Sequence, residues 1–236
     1  MRPVRLQRGF LPKAEGSCLV EIGRTRVVCT VTVEDRVPGW RRGQGGWLTA
    51  EYAMLPRATE DRTPREVSRG RPAGRSQEIQ RLIGRSLRAA VDLGKIGDRT
   101  LWIDCDVLEA DGGTRTASIT GAAVALCDAL AWLTERDASV KRPLEHLVAA
   151  VSCGIVGGAP ILDLCYAEDS QAGVDANFVM TDAGEFVEVQ ATGEAGTLKP
   201  AQLQELLSLA EGGVRQLFAL QREALGSQLT KVLRGA

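Results

Sequence analysis

The segment Asp111-Gly112-Gly113-Thr114-Arg115-Thr116 sits where a strand-like run, RTLWIDCDVLE, passes into a helix-like one. The first amides of a helix lack partners, and its dipole favours an anion there. Glycines let a phosphate approach the backbone closely. Thr114 adds a hydroxyl donor and Arg115 a charged fork. A tight turn with a capping residue needs the same residues, and no GxxxxGK[ST] loop is present. Arg75 ends a polar loop and opens a predicted helix, so it could share an anion with the turn. Sequence spacing alone does not bring the two together.

Further along, Asp163, Glu168, Asp169 and Asp175 fall within LDLCYAEDSQAGVDANF. Paired carboxylates beside a phosphate site would suit Mg²⁺, a hard cation that prefers oxygen ligands. A polar loop whose aspartates cap turns explains them equally well. The run Glu188-Val189-Gln190-Ala191-Thr192-Gly193-Glu194 ends a predicted strand and says little alone.

The formal net charge is -1, so nothing global points to nucleic acid. The distribution of charge says more. Nine arginines and no lysine lie between Pro56 and Ala90. Among them are Arg57, Arg62 and Arg65, in the loop PRATEDRTPREVSRGRPAGR. Arginine presents a planar fork that matches phosphate oxygens, and a local cluster makes an anion-binding surface on a neutral protein. Loops of this length inside a compact domain are usually functional or disordered. Arg81, Arg85 and Arg88 recur on one face of the following helix, a spacing that fits a solvated or pairing face.

These residues need elements to position them. Residues 17–34 read as a β-hairpin and 47–55 as a strand. A helix is predicted over 76–93 from Ile79, Leu82, Ile83, Leu87 and Ala90. A strand follows at 99–109 and a second helix at 115–133. Residues 147–156 and 161–166 read as a hairpin around Gly157, Gly158 and Pro160. Another pairs 176–182 with 185–191, and the last helix opens near Pro200, a favourable first-turn position. The order predicts an α+β fold with mainly antiparallel hairpins, and each half sends its strands into a long helix. No linker divides the 236 residues, so a single domain over 1–236 is expected.

Hydrophobic residues make up 44% and charged residues 25% of the chain, ordinary proportions for a globular protein. No apolar run approaches the ~18 residues of a membrane span, and MRPVRLQRGF carries no signal-type apolar stretch. Six cysteines without a CxxC pair, and a single histidine, His146, argue against a zinc site. They suit buried thiols in a reducing compartment. A cytoplasmic protein with no membrane partner is expected.

Taken together, several stretches resemble the RNase PH family. They are AEGSCLVEIGRTRVVCTVTVE, GQGGWLTAEYAMLPR, GRSQEIQRLIGRSLRAAVDL, LWIDCDVLEADGGTRTASITGAAVAL, VAAVSCGIV, LDLCYAEDS and FVEVQATGE. The likeness runs from about Val4 to Leu225, and CDVLEADGGTRTASITGA is its most specific run. The resemblance implies a ribosomal-protein-S5-domain-2-like α+β fold with duplicated hairpin-and-helix halves. It implies a phosphorolytic 3′→5′ exoribonuclease that uses inorganic phosphate, releases nucleoside 5′-diphosphates and runs reversibly as a nucleotidyltransferase.

Carried over by motif, the family's phosphate site falls on Arg75, Gly113, Thr114 and Arg115. Its metal-binding or general-acid carboxylates fall on Asp169 and Asp175, with Mg²⁺ or Mn²⁺ as the implied ion. Its RNA-contacting arginines fall on Arg57, Arg62 and Arg65. The implied partners are RNA with a free 3′ end, transfer RNA precursors in particular, and further copies of the chain in a homo-hexamer built as a trimer of dimers. Family members usually begin about ten residues earlier with a short Arg-containing leader, whereas this sequence starts at MRPVRLQRGF, so either a missing leader or a misassigned start is expected. SQAGVDANF keeps Asp175 but changes its neighbours, and Glu60 and Asp61 make the arginine loop more acidic than is usual. The competing readings are a non-catalytic RNA-binding subunit of an exosome-like ring and a small-molecule kinase. The first would lack the phosphate or carboxylate residues, and the second would need an ATP motif that is not present.

Overall fold

The computed structural model describes every residue of the chain except Ala195 and Ala236; the side chains of Val67 and Arg69 also lie outside the described set. Strand β1 (Val4–Arg8) alternates half-buried and exposed residues, the period of a strand with one packed face. It pairs antiparallel with β2 (Gly16–Ile22), and β2 with β3 (Thr25–Glu34). Strand β4 (Trp47–Met54) leads through the arginine loop to helix α1 (Gly74–Arg88). Strand β5 (Thr100–Glu109) then enters the sheet between β3 and β4, antiparallel to one and parallel to the other. The first sheet is therefore mixed, with order β1-β2-β3-β5-β4.

Helix α2 (Thr114–Arg136) packs on β2 and β3 on one side and on β6 (Val148–Val156) on the other. Contrary to the expectation that no apolar run approaches a membrane span, this helix is long and apolar enough to cross one by composition, but 89% of that stretch is buried as the core between the two halves. The helix lies tight against the first sheet at Gly121, where a Cβ would come within 2.5 Å of Val20. Strand β7 (Ala159–Leu162), the single helical turn α3 (Tyr166–Asp169), β8 (Val174–Thr181) and β9 (Phe186–Gly193) complete the second half. Its sheet is antiparallel throughout, with order β7-β6-β8-β9. Helix α4 (Pro200–Leu225) packs on β6 and β7, and the short α5 (Ser227–Val232) packs on α2.

The expected α+β fold is present, and each half ends in a long helix. Two boundaries and one element depart from expectation. Helix α1 stops at Arg88 rather than near 93, because Val91 leaves to bridge Leu144 and the Asp92 side chain caps a 3₁₀ turn over Leu93–Ile96. The strand expected over 161–166 ends at Leu162, because Asp163 adopts φ 63°, a left-handed conformation no strand can hold. Strand β1 was not anticipated; its alternating VRLQR was the available signal.

Candidate active site

The DGGTRT turn forms the N-terminus of α2. Gly112 and Gly113 both take positive φ, 76° and 66°, and Gly113 is the N-cap. A Cβ on Gly112 would meet the Leu164 carbonyl at 2.4 Å, so the turn lies directly against the second half of the chain. Thr25 fixes it from β3: its hydroxyl donates to the Gly112 carbonyl (2.6 Å) and accepts from the Asp111 amide (2.9 Å). The hydroxyls of Tyr52 and Thr114 are 2.8 Å apart.

Arg115 points back across the molecule. Its guanidinium donates to the Gln190 side-chain oxygen (2.9 Å), and the Gln190 amide donates to Glu78 (2.9 Å). Glu78 also lies 3.7 Å from Arg115 itself. This relay runs from α1 through β9 to α2 and orients a side chain that is only 13% exposed. Arg75 lies in the first turn of α1, and among the described residues it enters no ion pair. Its charge, like that of Arg115, reaches Asp175 and Tyr52.

The carboxylates face these cations from the second half. Asp169 ends α3, and Asp175 lies on β8 opposite Gly154. Burial, and then the charge of Asp169, push the Asp175 carboxyl above its ordinary range, while Arg115 and Arg75 pull it back. Both aspartates line one cavity of about 50 Å³ together with Arg75, Gly113, Thr114 and Arg115. The phosphate-type and carboxylate-type residues inferred from sequence thus meet in one place. That cavity shares Arg75, Gly113, Thr114 and Asp169 with a wider cleft of about 820 Å³.

Arg57 lines the cleft, and so do Glu60 and Asp61. Arg62 and Arg65 are exposed on the loop and line neither space. The field of Arg65 does lower the Asp106 carboxyl against the raising effect of burial, which places it near β5. Asp163 and Glu168 have structural work. Asp163 is buried and paired with Arg2 at 2.7 Å, and Glu168 accepts from the Cys165 amide at 2.8 Å, capping α3. Gln190 lies in the run singled out from sequence without a role, and sequence reasoning missed Ser152 and Asn177, which both line the small cavity. A serine inside the apolar strand VAAVSCGIV and an asparagine inside VDANFVM were the signals on hand.

Residues 1–131 match the 3′ exoribonuclease family, domain 1, and residues 146–213 match its domain 2. The chain belongs to the 3′ exoribonuclease family. It is 60% identical over 226 residues to Ribonuclease PH of Methylorubrum populi, and 58% identical to Ribonuclease PH of Solibacter usitatus. Each match covers 95% of both chains. Among solved structures, rice Rrp46 superposes with a TM-score of 0.78 at 19% identity, over 95% of both chains. The Archaeoglobus fulgidus exosome with RNA bound to the active site gives 0.76 at 26% identity, over 92% of this chain and 87% of that one. As a member of this 3′ exoribonuclease family, the chain is a phosphate-dependent exoribonuclease and nucleotidyltransferase.

Proposed function

We propose that the small cavity is where inorganic phosphate attacks the 3′ end of RNA, and that the wider cleft carries the RNA to it. The observation that supports this is the convergence of Arg75, Arg115 and the Gly113–Thr114 turn on one wall with Asp169 and Asp175 on the other. A phosphate oxygen attacks the last phosphodiester phosphorus, the bond to the penultimate 3′-oxygen breaks, and a nucleoside 5′-diphosphate leaves. Two anions must meet, so preorganised positive charge is the main requirement. Arg75 and Arg115 supply it, and the Gln190–Glu78 relay holds Arg115 in place.

Asp169 and Asp175 would hold Mg²⁺ or Mn²⁺. Among the described residues no group of three or more His, Cys, Asp or Glu forms a ready-made metal cage. Two carboxylates fit an ion that keeps several waters and takes the rest of its ligands from substrate phosphates. Burial first, and then the like charge of Asp169, push Asp175 upward, and a dication would relieve both. Bound there, the metal supplies charge neutralisation at the reacting phosphates. The same rise in pKa is the direction a general acid needs, but the Asp169–Asp175 pairing favours the metal role.

The proposal extends to transfer RNA precursors as substrate and to a homo-hexamer arranged as a trimer of dimers. It rests there on the family resemblance; Phe186 and Val189, 43% and 47% exposed on the edge strand β9, offer apolar surface for a second copy. The six free thiols, five of them buried, support a reducing, cytoplasmic setting. A non-catalytic ring subunit is not favoured, since every residue of the phosphate and carboxylate sets is in place. Exchange of one phosphate bond for another makes the reaction reversible. With excess ADP the protein should therefore lengthen a short RNA and release inorganic phosphate; failure to extend under any nucleoside diphosphate excess would count against the proposal.

A further inference from the structure

Among the described residues, three buried side-chain polar atoms have no hydrogen-bond partner: Ser152 Oγ, Gln221 Oε1 and Gln228 Oε1. Only the serine lines the small cavity. Ser152 lies in the middle of β6, is 6% exposed, and has apolar neighbours Val151 and Cys153 along the strand. A buried hydroxyl without a partner is costly and uncommon, and at a functional site it asks for a missing ligand. The position of the atom says which. A Cβ built on Gly113 would lie 3.6 Å from Ser152 Oγ, so the hydroxyl stands beside the backbone of the anion-binding turn. Across the sheet Ser152 is in register with Asn177, which lines the same cavity, and Asn177 with Gln190, which holds Arg115. The second sheet thus presents a polar row, Ser152, Asn177 and Gln190, to the turn at the start of α2.

We propose that Ser152 is a further phosphate-binding residue, its hydroxyl donating to the nucleophilic phosphate from the second half of the chain. The inference rests on the phosphate reading of this cavity. It deepens that reading in one respect: the ligand is gripped by Arg75 and the DGGTRT turn from the first half and by β6 from the second. The backbone of β6 is anchored at this point, since the Ser152 carbonyl accepts from the Asp163 amide (2.7 Å) and Asp163 is clasped by Arg2. A hydroxyl rotates freely to meet an oxygen, so the anchored strand needs no movement to bind.

The test is Ser152→Ala in the full chain, read by phosphate titration of thermal unfolding and by steady-state kinetics with a short RNA. The Michaelis constant for phosphate should rise about tenfold, as for loss of one hydrogen bond to a charged group, with kcat and RNA affinity nearly unchanged. The phosphate-induced rise in Tm should shrink. Without phosphate, Tm should hold or increase, because an unpartnered buried hydroxyl has been removed. An unchanged phosphate constant would overturn the proposal, and so would a fall in the phosphate-free Tm, which would reveal a structural bond. Arg115→Ala in parallel separates the two levels. If wild type binds phosphate and Arg115→Ala does not, an unaffected Ser152→Ala sinks this inference alone. If wild type shows no response to phosphate, the reading of the cavity falls and this inference with it.

Discussion

The two ends of helix α1 carry the same residue type to opposite uses. At its C-terminal end Arg85 is paired with Glu188, and Arg88 stacks on Trp47 at 4.9 Å while donating to the Leu48 carbonyl at 3.0 Å. Burial lowers the Arg88 pKa, yet the side chain stays because its stem and plane cover apolar surface. At the N-terminal end Arg75 enters no ion pair among the described residues and faces two cavities that also contain Asp169. An arginine used by the fold has its fork filled from within the chain. Arg75, aimed at an anionic substrate, is left open, whereas Arg115 is oriented by Gln190 with Glu78 3.7 Å away.

That contrast can be broken most sharply at the open end. Arg75→Ala or Arg115→Ala should each lower phosphorolysis about 10²- to 10³-fold, the scale of one lost preorganised charge donor, while much of the RNA binding remains. Product release per enzyme and a filter-binding isotherm together check this; an RNA-binding loss matching the activity loss would reassign both residues.

Asp175→Asn probes the opposing wall. It should abolish most activity at any divalent ion concentration and yet raise Tm near neutral pH in metal-free buffer. Because the folded-state pKa of Asp175 is raised, the folded chain holds this proton longer than the unfolded chain does. The stability linked to Asp175 is therefore full below the ordinary carboxylate range and is lost as pH rises through the raised value. A pH series of melts should show that loss in the wild type and not in the variant.

Combining Arg57→Ala with Arg62→Ala should weaken RNA binding and flatten its salt dependence by about one unit of log–log slope for each lost phosphate contact. Cleavage of very short oligonucleotides should be largely spared. Arg62 lines neither cavity, so it is expected to contribute the smaller share. Smallest of all, Arg88→Ala should cost about 1 kcal/mol of stability in denaturant melts with the phosphate Michaelis constant unchanged. A catalytic defect there would erase the distinction between the two ends.

Much of the site was legible in residue types and little of it in space. The strand-to-helix passage through DGGTRT announces an anion-binding turn, because glycines, a threonine and an arginine at a helix start have a recognisable job. Nothing in the spacing of Arg75, Arg115, Asp169 and Asp175 says that they meet; the family resemblance supplied that grouping, and the packing of the two sheets on α2 accounts for it. Asp163 illustrates the converse. Its neighbours in LDLCYAED read as strand and loop, but its left-handed backbone and its pairing with Arg2 depend on a contact 161 residues away. In the sequence Ser152 is one residue of an apolar strand. Its meaning lies in a partner the chain does not supply.

The proposed cavity uses phosphate, not water, to cut RNA. A short RNA with a free 3′-hydroxyl, incubated with the protein and Mg²⁺ with and without inorganic phosphate, tests it directly. Nucleoside 5′-diphosphates released only when phosphate is present are the expected products. Nucleoside monophosphates released without phosphate would show a hydrolase and rule out phosphorolysis.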